Sequence, residues 1–292
     1  MVDPYEYCRS IMEKYAKTFY LASQRLPLSD RKHFWSIYAY CRTVDNIADE
    51  LFPNDSSKGI EELERVKRDL LLSYNGQYNG EDLIFIALSQ TFKSYKFRIE
   101  PFLELIEGAR WDLLKKPINT IDDLIYYSRL VAGSVGAMLL PVISNEPDSL
   151  YESAYNYGVF MQIVNIIRDV GEDIRDRNRI YIPTELLNEH SISVEDIRKG
   201  IITRNYKVMI ERLMEIAEKI FFENVRTVWK LKKEVRTSIY LAGIWYLEIL
   251  NAVRFSNYDN LTKRNYVPKL FKYATIIGGY KIRKKVAKFL FI

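Results

Sequence analysis

Oxygen-bearing side chains recur at every fourth residue in one segment of the chain, QIVNIIRDVGEDIRD, which covers residues 162–176. At about 100° per residue, Asn165, Asp169 and Asp173 fall within about 80° of one another on a helical wheel, so they share one helix face. Amide and carboxylate oxygens are ligands that hard divalent cations such as Mg²⁺ prefer. The spacing therefore indicates either a metal-binding face or a polar face that water covers.

The neighbours of these three residues favour the metal-binding interpretation. The same face continues toward the N-terminus through residues that do not seek water, namely Met161, Gly158, Tyr157 and Ala154. The opposite face is apolar, with Ile163, Ile166, Ile167, Val170 and Ile174. We therefore expect a helix that packs on its apolar side and carries its carboxylates at the mouth of an apolar space, where a charge requires a binding partner.

A second segment, residues 33–50, repeats this change from aromatic to acidic residues in HFWSIYAYCRTVDNIADE. Asp45 and Asp49 lie four residues apart, and the same face carries, one to three turns earlier, Arg42, Tyr38, Trp35 and Phe34. With 38 acids among 292 residues, chance alone predicts about five acidic pairs at this spacing, so one pair is weak evidence. Two segments with the same change are stronger evidence of a shared function.

The composition predicts an all-α fold in a single domain that covers residues 1–292. Hydrophobic residues make up 48% of the chain, which implies a large core, and only 12 Gly and 9 Pro interrupt it. Apolar residues recur every three or four positions near residues 4–23, 31–51, 58–74, 80–96, 100–115, 120–143, 149–176, 203–225 and 227–256. Ser29 or Asp30, after the break at Pro27, is the expected N-cap of the second helix.

Several reaction classes lack their usual sequence signatures. The two histidines, His33 and His190, form no zinc-hydrolase motif, and the two cysteines, Cys8 and Cys41, form no Cys-x-x-Cys motif. Patterns for a serine nucleophile, a Walker A loop and a dinucleotide-binding Gly-rich loop are also absent from the sequence. What remains is Mg²⁺ chemistry on a diphosphate, in which bound cations stabilise the departing group and no protein nucleophile is needed.

The same interpretation assigns roles to aromatic and basic residues. If a diphosphate leaves at the mouth of an apolar space, the rings of Tyr38 and Tyr127 can stabilise the allylic carbocation that remains. Four basic residues are of the type that completes a diphosphate pocket, although each one alone is more often a surface charge: Lys17, Arg42, Arg264 and Lys272. A stripe of small residues from Gly133 to Ala137 lets either a chain-like ligand or a neighbouring helix approach closely.

Positive charge is concentrated at the C-terminal end. The formal net charge is +5, and residues 263–292 contain nine basic residues and no acid, so the remainder carries −4. Residues from about 278 to 292 interleave basic and apolar side chains, a pattern typical of contact with an anionic membrane surface and equally of a solvated helix end. No nucleic-acid-reading motif accompanies the charge, so we expect no nucleic-acid partner. The sequence shows no secretory signal and no long apolar run, so we expect a cytoplasmic protein. The basic tail leaves open a peripheral contact with the inner face of the membrane.

Several motifs together resemble those of the squalene and phytoene synthase family, and among its members the bacterial dehydrosqualene (diapophytoene) synthases. They are AKTFYLASQRLP near residue 16, WSIYAYCRTVDNIAD, YYSRLVAGSVG near residue 126, MQIVNIIRDVGEDIRDRNRIYIP and YLEILNAVRFSNY near residue 246. The resemblance covers most of the chain. It implies a single all-α isoprenoid synthase domain with a central apolar cavity between two acidic helices, and the activity of a Mg²⁺-dependent prenyltransferase of carotenoid biosynthesis.

The resemblance also implies roles for individual residues. Asp45 and Asp49 match the first aspartate motif, and Asn165, Asp169 and Asp173 match the second; together they would bind two or three Mg²⁺ ions and two diphosphates. Other matches to diphosphate-binding positions are Lys17 and Thr18 in a flap-like segment, Arg42, Gln162, Tyr246, Arg264 and Lys272, while Tyr127 matches a position near the reacting carbons. Two positions depart from the family, because Asn46 stands where relatives often have a second acid and Ala16 replaces a hydroxyl residue.

The reaction that the resemblance implies is a head-to-head condensation of two farnesyl diphosphates, through presqualene diphosphate, to dehydrosqualene without NADPH. Squalene synthases use NADPH in the last step and phytoene synthases use geranylgeranyl diphosphate, and both remain alternatives. Ser23 stands where users of farnesyl diphosphate can carry an aromatic residue, which favours the longer substrate, whereas Trp35 favours farnesyl diphosphate. The lack of the C-terminal membrane anchor of eukaryotic squalene enzymes favours the carotenoid branch. An alternative of a different class is a non-catalytic helical protein that binds isoprenoid lipids or docks on membranes.

Overall fold

A computed structural model of the chain describes residues 2–16, 20–21, 23–268 and 270–271. Within these ranges the backbone forms helices joined by turns and loops and forms no strand, so the predicted all-α fold is confirmed. Three of the predicted diphosphate ligands, Lys17, Thr18 and Lys272, lie outside the described residues, as does the basic tail at 278–292.

Twelve α-helices have defined bounds among the described residues, and residues 20, 21, 23, 270 and 271 are helical as well. Helices α1 to α6 span Pro4–Tyr15, Leu28–Asn46, Ser56–Tyr74, Leu83–Ser94, Glu100–Leu113 and Ile121–Ser128. Helices α7 to α12 span Ser134–Ile143, Tyr151–Asp176, Thr184–Glu189, Val194–Arg198, Arg204–Asn224 and Lys233–Phe255. Two π-helical turns, Ile47–Leu51 and Arg129–Gly133, follow α2 and α6, and two 3₁₀ turns cover Pro147–Ser149 and Val225–Lys230. Each predicted helical segment overlaps at least one of these helices. Helices α9 and α10 were not predicted because they are too short for a helical period to show.

The start of α2 differs from the prediction that Ser29 or Asp30 caps it. The helix begins at Leu28, and Pro27 stands at the N-cap position without a side-chain cap. Asp30 instead lies in the first turn, where it accepts a hydrogen bond from the Tyr95 hydroxyl at 2.9 Å and pairs with Lys232 at 2.7 Å. The prediction was wrong because the partners of Asp30 come from distant parts of the sequence, which a local capping pattern does not reveal.

The contacts of the chain group it into two compact units, and each unit combines three segments. Unit 1 contains residues 1–116, 129–158 and 227–237, and unit 2 contains residues 117–128, 159–226 and 238–292. Helix α8 contributes residues 151–158 to unit 1 and residues 159–176 to unit 2. The first aspartate motif therefore belongs to unit 1 and the second to unit 2, while the single domain with a central cavity stays a prediction.

A buried polar cluster joins α1, α2 and α4 in unit 1. The Nδ1 atom of His33 lies 3.1 Å from the Tyr5 hydroxyl and 3.0 Å from Oγ1 of Thr91, and Oγ of Ser36 lies 2.7 Å from the same threonine oxygen. Burial, assisted by the charge of Lys32, lowers the pKa of His33 to about 4, so the ring is neutral at pH 7. The cluster therefore satisfies its polar groups without a buried charge.

The stripe of small residues in α7 serves helix packing in unit 1. A Cβ atom on Gly136 would lie 2.6 Å from the backbone oxygen of Ala154 in α8, closer than a carbon and an oxygen normally approach. Only glycine allows the two helices to come this near. Of the two explanations that the sequence left open, the close approach of a neighbouring helix is therefore confirmed for this position.

The apolar face predicted for residues 162–176 is buried in unit 2. Its members are at most 4% exposed: Ile163, Ile166, Ile167, Val170 and Ile174. Just before them, the ring of Phe160 packs against Phe221 of α11 with 4.9 Å between the ring centroids. The prediction that α8 packs on its isoleucine side is therefore confirmed.

One helical stretch in the described part of the chain, Ile121–Ile143, is long and apolar enough to cross a membrane by length and composition alone. The protein itself buries 56% of the most apolar window of this stretch, as it would for a core helix. Pro141 also lies inside its second half, in α7. The stretch is therefore weak evidence for a membrane span.

Candidate active site

Asp169, in the second half of α8, is held by two guanidinium groups in unit 2. Arg168 donates to both carboxylate oxygens, from Nε to Oδ1 at 2.8 Å and from Nη2 to Oδ2 at 2.5 Å. Arg264, in the loop after α12, approaches Oδ1 with its Nε at 3.2 Å. The Asp169 side chain is only 16% exposed, so this carboxylate is largely removed from water and compensated by charge-assisted hydrogen bonds.

Arg264 also reaches a second carboxylate of the same helix, because its Nη1 lies 3.2 Å from Glu172. Burial lowers the pKa of Arg168, but the hydrogen bond and charge of Asp169 outweigh this effect and leave the pKa above its usual value. Arg168 therefore stays charged. Sequence reasoning missed Arg168 and Glu172 as site residues, although both fall within about 100° of Asp169 on the helical wheel.

Asn165 carries a buried oxygen, Oδ1, that has no hydrogen-bond partner. Its Nδ2 atom lies 3.4 Å from Oε1 of Gln162, which is a weak contact. A buried acceptor without a donor costs about 1–3 kcal/mol, so a cation bound at this oxygen would recover that free energy. Asp173, two turns after Asn165, is 13% exposed and lies 3.9 Å from Arg177.

The oxygen atoms of α8 fit Mg²⁺ better than a metal that needs a complete cage of protein ligands. Among the residues with a described position, no group of three or more His, Cys, Asp or Glu side chains could hold a metal ion. Mg²⁺ usually keeps several waters and binds through one or two carboxylates together with substrate phosphate oxygens. Asn165, Asp169 and Asp173 offer ligands of this kind, and Mg²⁺ binding by them stays a prediction.

A loop residue, Asn260, bridges one rung of the α8 hydrogen-bond ladder. Its side-chain Nδ2 donates to the Ile167 carbonyl at 2.5 Å, and its backbone carbonyl accepts from the Gly171 N–H at 3.0 Å. Ile167 and Gly171 are four residues apart, so they are the carbonyl and amide of the helical turn that contains Asp169. The Tyr206 hydroxyl donates to Oδ1 of Asn260 at 2.7 Å, which completes the bridge.

Gly171 permits the loop to approach the helix this closely. A Cβ atom on Gly171 would lie 1.9 Å from the backbone oxygen of Leu261, so any side chain there would displace the loop. The guanidinium of Arg175 donates to the same Leu261 carbonyl. The segment that carries Arg264 is therefore fixed to α8 directly beside the second aspartate motif.

Two predicted tyrosines lie among aromatic rings in unit 2. Tyr127 is 3% exposed and stacks on Tyr181, with 5.2 Å between the ring centroids and 21° between the ring planes. The guanidinium of Arg179 lies 5.1 Å from the centroid of the Tyr181 ring. Tyr246 of α12 meets the ring of Phe160 in an edge contact at 6.3 Å. Burial and stacking therefore fix the ring orientation of Tyr127.

The first aspartate motif, in unit 1, does not lie on a regular α-helix. Helix α2 ends at Asn46, and the next residues form the π-helical turn Ile47–Leu51, in which the Phe52 N–H bonds to the Ile47 carbonyl at 3.1 Å. Asp45 lies in α2 and Asp49 in the π turn, and both are exposed. The wheel angle of a regular helix therefore does not apply to this pair. Turns of this type occur frequently at functional sites.

Arg42 lies between an acid and an aromatic ring in unit 1. Its guanidinium forms an ion pair with Glu50, and its Cζ atom lies 4.6 Å from the centroid of the Tyr15 ring. The Nε atom of Arg42 is buried without a hydrogen-bond partner. Burial, which the charge of Arg42 opposes, raises the pKa of Tyr38 to about 12, so this ring stays neutral at pH 7.

The described site residues are divided between the two units. In unit 2 the structure brings Arg264 to Asp169, and Asn165 and Asp173 lie on the same helix. In unit 1, Arg42 precedes the first aspartate motif and pairs with Glu50, the residue directly after it. The joint binding of substrate by both motifs stays a prediction.

Comparison with known proteins identifies the family. A family model described as squalene/phytoene synthase matches residues 12–270. The chain therefore belongs to the squalene/phytoene synthase family, as its motifs predicted.

Relatives and solved structures support this membership over most of the chain. Phytoene synthase 1, chloroplastic, of Zea mays is 37% identical over 91% of this chain and 65% of its own length, so the chain spans slightly less than two thirds of that relative. The 15-cis-phytoene synthase of Synechococcus elongatus is 34% identical over 91% of this chain and 89% of its own length. A crystal structure of a dehydrosqualene synthase in complex with a ligand is 30% identical, covers 97% of both chains and gives a TM-score of 0.84.

Proposed function

We propose that the chain condenses two prenyl diphosphates head to head to a conjugated triene in carotenoid biosynthesis. The observation that carries this proposal is the arrangement around Asp169 on α8 of a squalene/phytoene synthase chain. A largely buried carboxylate lies there between Arg168 and Arg264, and Asn165, one turn earlier, carries an oxygen without a partner. Guanidinium groups of this kind bind phosphate oxygens, and the oxygens suit Mg²⁺.

Mg²⁺, as two or three ions, is the cofactor of this proposal. Asn165, Asp169 and Asp173 would hold it in unit 2, and Asp45 and Asp49 would hold it in unit 1. When bound, Mg²⁺ supplies Lewis-acid stabilisation of the departing diphosphate. NADPH is not part of the proposal, because the last carbocation loses a proton instead of gaining a hydride.

The side chains of the protein bind the diphosphates and stabilise the carbocation. Arg264 exchanges Asp169 and Glu172 for phosphate oxygens, and Arg42 donates its buried Nε in the same way. The ring faces of Tyr38 and Tyr127 stabilise the allylic cation after the diphosphate leaves. The remaining diphosphate contacts in the proposal are Lys17, Thr18, Gln162, Tyr246 and Lys272.

The proposed reaction has two halves, and each half releases one diphosphate and one proton. In the first half, a carbon–oxygen bond of one substrate breaks, the alkene of the second substrate attacks the cation, and proton loss closes a cyclopropane ring. In the second half, the cyclopropylcarbinyl diphosphate ionises, rearranges and loses a proton to give the triene. Water must be excluded from both cations, and the burial of Tyr127 is consistent with this need.

For the chain length of the substrate, we propose geranylgeranyl diphosphate as the preferred substrate. The relatives from Zea mays and Synechococcus elongatus are named phytoene synthases. Ser23 also favours the longer substrate, because its small side chain stands where users of farnesyl diphosphate can carry an aromatic residue. The side chain is buried, at 1% exposure, and accepts a hydrogen bond from the Trp35 indole at 3.1 Å. Farnesyl diphosphate, which the sequence favoured, is the second candidate because the dehydrosqualene synthase structure aligns over nearly the whole chain.

Product analysis with each substrate tests the proposal. The purified chain is incubated with Mg²⁺ and either farnesyl or geranylgeranyl diphosphate, without a nicotinamide, and products are identified by mass and ultraviolet spectrum. A conjugated triene of forty carbons is the expected main product, and one of thirty carbons would reassign the substrate. No product with either diphosphate would exclude the proposed function, whereas squalene formed only with NADPH would indicate a squalene synthase.

A further inference from the structure

The loop after α12 contains Asn260, which has no role in the proposed reaction. It is nevertheless buried against α8, the helix of the second aspartate motif. Asn260 is 2% exposed. Its side-chain nitrogen, its side-chain oxygen and its backbone carbonyl each form a hydrogen bond with α8 or α11. Its side-chain nitrogen donates to the Ile167 carbonyl, and its backbone carbonyl accepts from the Gly171 N–H. Its side-chain oxygen accepts from the hydroxyl of Tyr206, which is fully buried. These partners come from two helices, so Asn260 fastens α8 to α11.

The bridge acts on the helical turn that contains Asp169. A side chain that enters the hydrogen-bond ladder of a helix changes the direction of the helix at that point. Along the helix, Asn165 precedes the bridged turn, Asp169 lies within it and Asp173 follows it. The distance between the oxygen atoms of these residues therefore depends on how Asn260 holds the rung between Ile167 and Gly171.

The same bridge also fixes the loop that carries Arg264. Asp259, next to Asn260, accepts hydrogen bonds from the backbone N–H of Thr262 at 3.0 Å and from its hydroxyl. The side chain of Asn265 donates to the Asp259 carbonyl at 2.7 Å. These contacts make residues 259–265 a closed turn, which is bonded to α8 through Asn260 and through the Leu261 carbonyl that Arg175 contacts. The guanidinium of Arg264 consequently meets Asp169 without a long flexible connection.

We propose that Asn260 is a positioning residue for the second aspartate motif: its bridge across the Ile167–Gly171 rung sets the geometry of the metal ligands on α8 and delivers Arg264 to Asp169. The role in turnover rests on the proposed function, whereas the role in metal binding is measured separately. Residues that hold metal ligands in place typically change metal affinity or activity about 10- to 100-fold when they are replaced.

The test compares Asn260→Ala with the wild-type chain and with Tyr258→Phe as a matched control. Tyr258 lies in the same loop, but its hydroxyl bonds to Glu211 of α11 at 2.7 Å and not to α8. Three quantities are measured: hydrogen exchange of the backbone amides in residues 165–176, the affinity for Mn²⁺ in the presence of inorganic diphosphate, and kcat and KM with prenyl diphosphate. Tyr206→Phe, which removes only the hydroxyl that orients Asn260, replaces Asn260→Ala if the latter does not fold.

For Asn260→Ala we expect faster exchange in residues 165–176, Mn²⁺ affinity lower by about 10-fold or more, and a decrease in kcat that exceeds the change in KM. Tyr258→Phe should leave the exchange of this segment and the Mn²⁺ affinity unchanged. A folded Asn260→Ala chain with unchanged exchange, or with faster exchange and unchanged Mn²⁺ affinity, would overturn the proposal. If the wild-type chain binds Mn²⁺ but turns over no prenyl diphosphate, the proposed function fails while the exchange and affinity measurements still decide the role of Asn260.

Discussion

Arg168 and Asp169 are neighbours in the sequence, and their side chains form a two-point ion pair, at 2.8 and 2.5 Å, on the surface of one helix. Arg264 approaches the same carboxylate from a loop, so a single acid has two cationic partners. This arrangement places two positive charges beside a largely buried carboxylate. It also places two guanidinium groups beside a carboxylate, the kind of oxygen ligand that Mg²⁺ prefers, which is the basis of the first prediction.

Replacement of Asp169 by Asn should abolish most of the activity. The change keeps the size of the side chain but removes the negative charge that Mg²⁺ requires, and removal of one such electrostatic group lowers kcat by about 100-fold or more. Asp176→Asn, at the exposed end of the same helix, is the matched control and should retain activity. Steady-state kinetics, with circular dichroism to verify folding, measure both. Equal activity of Asp169→Asn and the wild type would contradict a metal role for Asp169.

Ser23→Phe should shift product formation from forty toward thirty carbons. An aromatic side chain at this position adds volume and cannot accept the hydrogen bond that Trp35 donates to Ser23. Ser23→Ala is the control, because it removes the same hydrogen bond without adding volume. The ratio of the two products is measured with both substrates present at equal concentration. An identical ratio in all three chains would show that residue 23 does not determine substrate length.

Protonation of His33 should destabilise the folded chain in mild acid. Burial lowers the pKa of His33 to about 4, whereas the unfolded value is about 6.5, so the unfolded chain binds more protons between these two values. The contribution of neutral His33 to the free energy of unfolding is therefore fully present above about pH 6.5. It falls by up to about 3 kcal/mol as the pH decreases toward 4. Urea unfolding at a series of pH values measures this slope. His33→Gln should flatten the slope in this range, and an unchanged slope would assign the effect to other groups.

Gly171→Ala should destabilise the fold and move the loop that carries Arg264. The new Cβ atom would lie 1.9 Å from a backbone oxygen of Leu261, and forced overpacking of this kind costs about 1–3 kcal/mol or more. Gly108→Ala is the comparison, because the atom nearest to its Cβ, at 2.7 Å, belongs to the side chain of Val131, which can rotate. Thermal unfolding should show the larger loss for Gly171→Ala. A smaller loss of thermal stability for Gly171→Ala than for Gly108→Ala would show that the loop at Leu261 moves away from the new Cβ atom at little cost.

The helices and the face of α8 could be predicted from the sequence because both depend on local periodicity. The isoleucines of α8 recur at helical spacing, and the structure buries them as expected. Arg264 was predicted from the family motifs, and the structure brings it to Asp169. These features need only the pattern of residues along one segment or a match to related sequences.

Other features could not be predicted because they depend on partners that are remote in the sequence or on the backbone alone. The bond from Asn260 to Ile167 joins residues 93 positions apart, and the pair of Asp30 and Lys232 joins residues 202 positions apart. The π-helical turn at Ile47–Leu51 arises from a hydrogen bond shifted by one residue, which leaves no mark in the composition. Arg168 was missed because an arginine beside an acid is common on a solvated helix.

The widened turn at Ile47–Leu51 makes the direction of the first acidic segment a matter of residue count as well as residue type. A π-helical turn accommodates one residue more than an α-helical turn, so it absorbs an extra residue and leaves the side chains on either side of it in register. Loss of a residue from the regular part of α2 has no such compensation, and every later side chain of the helix would rotate by about 100° relative to those before it. Asp49 would then point elsewhere although no acid had been removed, so a single deletion in α2 would disrupt this segment as effectively as the loss of an acid.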